Sequence, residues 1–139
     1  MNSFRPVPIE TNFILGLKAS QQQNKPLFVH MTCWACMGTN EFHTHFLKDQ
    51  RIHARLRQDY VVVELYVDDR QPIEAKDTLG WQQIGHSAEL AEAIREAKTI
   101  GEVNSAYQLF LQSKNVQPQY WLMDTDGSFL IEPFAYCAQ

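Results

Sequence analysis

Cys33-Trp34-Ala35-Cys36 stands directly after the apolar run Leu27-Phe28-Val29-His30-Met31-Thr32. Two cysteines separated by two residues can trade a dithiol for a disulfide: one sulfur attacks a substrate disulfide, and the other attacks the mixed disulfide so formed. The thiolate is the nucleophile, and the partial positive charge of a helix N-terminus favours it. A Cys-x-x-Cys between a strand and a helix therefore predicts redox exchange. Cys36, at the predicted junction, is the candidate nucleophile, set against a buried cysteine that packs as a small hydrophobe. Cys33 is its candidate redox partner, and Trp34 flanks the thiol as substrate-contacting surface or as a ring packed over the loop. Cys137, near the end of the sequence, reads as an uninvolved thiol. Three cysteines are too few for a disulfide scaffold, so redox chemistry suits them better than stapling.

His43 and His45 follow, and with the cysteines they spell Cys-x2-Cys-x6-His-x-His. Structural zinc asks for four convergent ligands, whereas histidines two apart on a helix diverge; no metal site is expected. A net charge of −4 without a Lys/Arg cluster argues against nucleic acid as a partner. No apolar stretch reaches the ~20 residues of a membrane span, and Met1-Asn2-Ser3-Phe4-Arg5-Pro6 lacks the pattern of a signal peptide.

The elements that must position these residues can be read from periodicity. Phe13, Ile14, Leu15 and Leu17 predict a short helix over about residues 9 to 22, stopped by Lys25-Pro26, because proline disfavours helix at the residue before it. Residues 27 to 32 read as a buried strand. A helix is expected from Cys36 to about Leu47, with Phe42 and Phe46 four apart on one face. Asp59 to Val67 is the clearest strand, and its unbroken valine run predicts a central position covered on both faces. Helices are expected over Ser87–Lys98 (Leu90, Ala91, Ile94 and Ala97 inward) and Val103–Ser113 (Tyr107, Phe110 and Leu111 inward). Gln119–Met123 reads as a strand, Asp124-Thr125-Asp126-Gly127 as a turn, and Ser128–Ile131 as its antiparallel return, since Asp-Gly is strong hairpin chemistry. The whole predicts one α/β domain over residues 1–139, with helices covering a small central sheet.

With these elements in place, the chain resembles the thioredoxin-like superfamily, and most closely the C-terminal thioredoxin-like domain of DsbD-type thiol:disulfide interchange proteins. The resemblance rests on Asn24-Lys25-Pro26-Leu27-Phe28-Val29, on Asp59 through Asp69, on Thr99-Ile100-Gly101, on Gln117-Pro118-Gln119-Tyr120-Trp121-Leu122-Met123-Asp124 and on Ala135-Tyr136. It implies a mixed sheet of about four strands flanked by helices, a helical insertion over about residues 70–100, and a usual final helix that is missing. A sheet face left open by that loss would serve homodimerisation or docking. The resemblance further implies a cis bond before Pro118, which would bring the Gln117 backbone beside Cys36 for pairing with a substrate strand. Aligned without gaps, the family pattern puts His30 on a buried carboxylate that assists proton transfer, Cys33 on a glycine, Cys36 on the nucleophile and Thr39 on the resolving cysteine. Aligned with compensating gaps, Cys33 and Cys36 become the two family cysteines. The first register implies a monothiol mode and the second a dithiol cycle. His30 is read either as a proton-transfer group or as a neutral core histidine.

The expected activity is thiol–disulfide exchange or reductant relay without an organic cofactor. Its partners would be protein disulfides or a membrane-embedded thiol donor, in the periplasm or tethered to its membrane. The competing reading is a redox-degenerate module that binds an extended peptide in the groove beside Pro118, favoured by Thr39 and His30.

Overall fold

The computed structural model describes residues 6–36, 42–84, 87–112 and 116–135. It is a mixed α/β structure built on one four-stranded sheet. The strands are β1 (Ile9–Glu10), β2 (Leu27–Thr32), β3 (Val61–Tyr66) and β4 (Gln119–Met123), in the order β1-β3-β2-β4. β3 runs parallel to β1 and β2, whereas β4 is antiparallel to β2. Every residue of β2 and β3 is buried, the condition under which strands read as continuous apolar runs.

Side chains alternate across the sheet. Val29, Met31, Val63, Leu65, Trp121 and Met123 face one layer, formed by α1 (Phe13–Gln23), α3 (Ala88–Glu96) and α4 (Ile100–Gln112). Phe13 is its aromatic hub, 5.4 Å from the Tyr107 ring and edge-on to Trp121 at 6.2 Å. Phe28, Val62 and Tyr120 face the other layer, which holds Phe42, Leu56 and Val7. Among the described residues this second face is covered by aromatic side chains and by α2 (Gln50–Asp59). Phe42 stacks on Phe28 at 5.9 Å and Phe134 on Tyr120 at 5.6 Å. A groove between α2 and Leu122 is what stays open.

The structure corrects several sequence expectations. Ile9–Glu10 is a short strand and α1 begins only at Phe13, because the Asn12 side chain accepts the Leu15 N–H and caps it. Of the helix expected over Cys36–Leu47, residues 37–41 lie outside the described residues, and Phe42–Phe46 form a single π-turn. α2 was not foreseen: it offers only Ile52 and Leu56 as large apolar residues, and its start is set by the Asp49 carboxylate, which accepts from Arg51 and Ile52. On α4, Phe110 is 36% exposed and the inward stripe is Val103, Ala106 and Tyr107. Ser128–Ile131 does return antiparallel to β4, but through the isolated bridge Met123↔Phe129 and the Leu130 N–H to Leu122 carbonyl bond rather than as a strand, and Phe134 bridges Tyr120 farther on. The turn before it does form, with Gly127 at φ +84°.

One close approach fixes the top of the sheet. A Cβ on Gly101, at the start of α4, would lie 2.5 Å from the Val67 carbonyl oxygen and 2.7 Å from the Asp69 nitrogen. The Gly101 N–H also donates to the Asp69 carbonyl at 2.9 Å. Gly101→Ala is expected to cost about 1–3 kcal/mol through overpacking against backbone that cannot yield. Urea denaturation tests this, and an unchanged midpoint would show that α4 does not hold the 67–69 segment.

Candidate functional site

Parallel strands β1, β2 and β3 end on the same side, and the chemistry-bearing residues collect there. The register pairs His30 with Glu64 and Thr32 with Tyr66, so His30, Glu64 and Tyr66 share the face that carries Phe42. Glu64 is 5% exposed. Its Oε2 lies 2.9 Å from His30 Nδ1 and 2.9 Å from His43 Nε2, and its Oε1 accepts the Tyr66 hydroxyl at 3.0 Å. A buried carboxylate is tolerated only when its oxygens are occupied by donors. Burial pushes the Glu64 carboxyl up, but the His30 hydrogen bond, the charges of His30 and His43 and the Tyr66 hydroxyl together hold it below its ordinary value.

His30 is fully buried, stacked on Tyr120 at 4.8 Å and against Phe42 at 4.5 Å. Burial drives its pKa down, and the Glu64 bond offsets this only in part. With the carboxylate as acceptor, the His30 Nδ1 carries the proton of this hydrogen bond. Its Nε2 meets no hydrogen-bond partner among the described residues, so a second proton there would bury an unanswered N–H. His30 is thus a core histidine bonded to a carboxylate rather than to backbone, and it acts on the site through Glu64. His43, whose side chain is 40% exposed, meets the same carboxylate through its Nε2.

Cys33 and Cys36 form a disulfide with Cα atoms 5.1 Å apart, inside the usual range for such a bridge. The loop between them is a tight turn in which the Cys36 N–H donates to the Cys33 carbonyl at 3.2 Å. Asp68, just past β3, clamps this turn: its carboxylate accepts the Trp34 N–H at 2.9 Å and the Ala35 N–H at 3.2 Å. Trp34 is 66% exposed and its ring is stacked flat on Tyr66 at 3.8 Å. The Gln117–Pro118 peptide is cis. Met31 pairs with Gln119, and one more step of that register sets Pro118 opposite Thr32, the residue before Cys33. The segment is tied to α4 through Gln108, whose Nε2 donates to the Val116 carbonyl at 2.8 Å and to Gln119 Oε1 at 3.0 Å. The Oε1 of Gln108 accepts from Gln117 at 2.6 Å.

A cavity of about 610 Å³ opens beside the disulfide, and Trp34, Cys36, His43, Glu64 and Tyr66 all line it. Cys36, the His43–Glu64 pair and Trp34 thus share one space. Cys33, Gln117 and Pro118 are not among its lining residues. Thr39 and Cys137 lie outside the described residues. Among the described residues no group of three or more His, Cys, Asp or Glu is arranged to hold a metal ion, and no helix is long and apolar enough to cross a membrane. Sequence reasoning missed Glu64, Asp68, Gln108 and the role of His43. The first was signalled only by a charged residue inside a valine-rich strand.

The cluster sets a pH dependence of folding. His30 titrates below its ordinary 6.5 in the folded chain, so the unfolded chain takes up that proton first. The stability it contributes is complete above about pH 6.5 and is lost as pH falls through the lowered folded value. Glu64 acts in the same direction below its ordinary 4.5. The urea midpoint should therefore fall on acidification from about pH 7 to 5 and fall further below 4.5, with the His30 ring in the Nδ1–H tautomer by nitrogen-15 NMR at neutral pH. A flat profile, or a His30 ring that protonates above 6.5, contradicts this assignment.

No protein-family model and no curated protein matches the chain, so its function rests on the chemistry of this site.

Proposed function

We propose that this chain is a thioredoxin-like thiol–disulfide exchange module, in which Cys36 attacks disulfides and Cys33 resolves the mixed disulfide. The observation that carries the reading is the Cys33–Cys36 disulfide at the carboxyl end of a central strand, with Cys36 on a cavity shared with a His–Glu pair. The pairing favours the dithiol cycle over the monothiol mode. The cis bond at Pro118, opposite the end of β2, is a further support.

In the reduced form, a thiol proton has to leave before attack. His43 is the base that fits: Glu64 holds its Nε2 side, which orients Nδ1 as the acceptor and lets the carboxylate stabilise the imidazolium that forms. Cys36 sulfur then bonds to one sulfur of the substrate disulfide and the other leaves as thiolate. Cys33 next attacks Cys36, releasing the second substrate thiol and restoring the disulfide. The resemblance places this cycle in the periplasm, with protein disulfides or a membrane-embedded thiol donor as partners, and that setting belongs to the same proposal.

Reduced Cys33→Ser should accumulate a mixed disulfide on Cys36 when offered hydroxyethyl disulfide, and Cys36→Ser should trap none, as read by intact mass. His43→Gln should slow adduct formation about tenfold or more near neutral pH, with recovery in alkali where the thiol ionises unaided. Trapping on Cys33 in the Cys36→Ser variant would remove Cys36 as nucleophile. Complete inertness of both thiols would leave peptide binding beside Pro118 as the function of this end.

A further inference from the structure

Resting on the exchange reading, the cavity beside Cys36 also limits what is exchanged. Its volume of about 610 Å³ is that of a small-molecule site. Phe13, Trp34, Tyr66 and Tyr107 give it aromatic walls, and Glu64, Asp69 and Asp77 add three carboxylates. Among the described residues no lysine or arginine lines it. Asp69 and Asp77 accept the backbone N–H groups of Gln71 and Glu74, and neither takes part in an ion pair among the described residues.

The Tyr107 hydroxyl is an independent sign of a ligand. Tyr107 is 2% exposed, and its hydroxyl meets no hydrogen-bond partner among the described residues. Burial pushes the phenol up to about 12, so it stays neutral, able to accept one hydrogen bond and to give another. Buried polar groups of this kind ordinarily find a partner. Aromatic rings, carboxylates and a neutral acceptor, with no lysine or arginine among the described lining residues, are a combination that suits an organic ammonium group.

We infer that the cavity seats the ammonium arm of a small amine-bearing disulfide, bringing its sulfur to Cys36. The step is balanced: Cys36 thiolate bonds to one substrate sulfur as the S–S bond breaks, and the departing aminothiolate takes up a proton. Cys33 then expels the second aminothiol, so one disulfide is reduced to two thiols while the protein dithiol is oxidised.

The test compares the reduced protein's rates with cystamine, hydroxyethyl disulfide and dithiodiglycolate, which are cationic, neutral and anionic. Each rate is divided by that of the same disulfide with dithiothreitol, which removes the effect of leaving-group acidity. At low ionic strength cystamine should exceed the neutral disulfide by about tenfold, and the anionic one should fall below it. In about 0.5 M salt the preference should shrink several-fold. The Asp69→Asn, Asp77→Asn double variant should lower the cystamine-to-neutral ratio; if it fails to fold, the salt series decides. In parallel, hexamethylenediamine, the sulfur-free analogue of cystamine, should shift the Trp34 and Tyr107 NMR signals of the oxidised protein, and adipate should not. Equal normalised rates for the three disulfides, or no diamine binding, overturn the cation site and leave exchange standing. A protein that binds the diamine but reacts with none of the disulfides overturns the exchange reading instead.

Discussion

The arrangement at the top of the sheet depends on one buried carboxylate. Glu64 sits in a strand whose every residue is buried, where an unanswered charge would cost several kcal/mol. Three donors meet it: His30 from the neighbouring strand, His43 from the π-turn and Tyr66 from two positions along its own strand. Each donor is also placed by it. The constraint reaches the strand pairing itself, because a one-residue slip of β2 against β3 would turn His30 to the opposite layer. Glu64 would then lose its most buried partner and the aliphatic layer would gain an imidazole. The same contact that makes the carboxylate tolerable therefore helps to select the register.

Tyr66 is where that cluster joins the cysteine turn. Its hydroxyl reaches Glu64, its ring carries Trp34, and its carbonyl accepts from Asn104 on α4. Two residues on, Asp68 holds the Trp34 and Ala35 N–H groups, and the backbone around it is pressed onto Gly101. A continuous line of contacts thus runs from the first turn of α4 through the end of β3 to the cysteines. Gln108 makes a second line from the same helix to Gln117 and Gln119, so α4 braces both the cysteine turn and the cis-proline segment. It does so with polar side chains, whose directional bonds set position more narrowly than apolar packing does.

β2 and β3 were legible because they are buried on both faces and read as short β-branched and aromatic apolar runs bounded by turn signals, whereas the two residues of β1 were absorbed into the expected first helix. Cys33 and Cys36 were legible because spacing alone carries their chemistry. α2 was not, since a helix that buries only His53 and Leu56 and shows arginine and glutamine to water has little periodic signal to read. Glu64 and His43 were not either. They stand 21 residues apart, and only the packing of the π-turn against β3 brings them together, so His43 could be weighed in sequence only against its neighbour His45. Asp68 was visible as the end of a strand. What it does depends on the loop of β2 folding back over it, which no local pattern records.

The electrostatics of the cysteine turn bear on how the proposed exchange would run. A reactive thiolate is normally favoured by nearby cations or by free backbone N–H groups. Here the Trp34 and Ala35 N–H groups are already given to Asp68, and Glu64 and Asp69 line the adjoining cavity. Nearby carboxylates disfavour a second negative charge, so the turn by itself does not supply a ready anion. Two groups can offset this. His43 can take the proton while Glu64 balances the imidazolium, which moves a charge within the pair instead of adding one to the site. A cationic substrate can do the rest, since an ammonium group between the carboxylates and Cys36 would stabilise the thiolate at the moment it is needed. On this reading the acidic lining ties nucleophile formation to arrival of the right substrate, and the resting thiols are left poorly reactive toward disulfides that carry no positive charge.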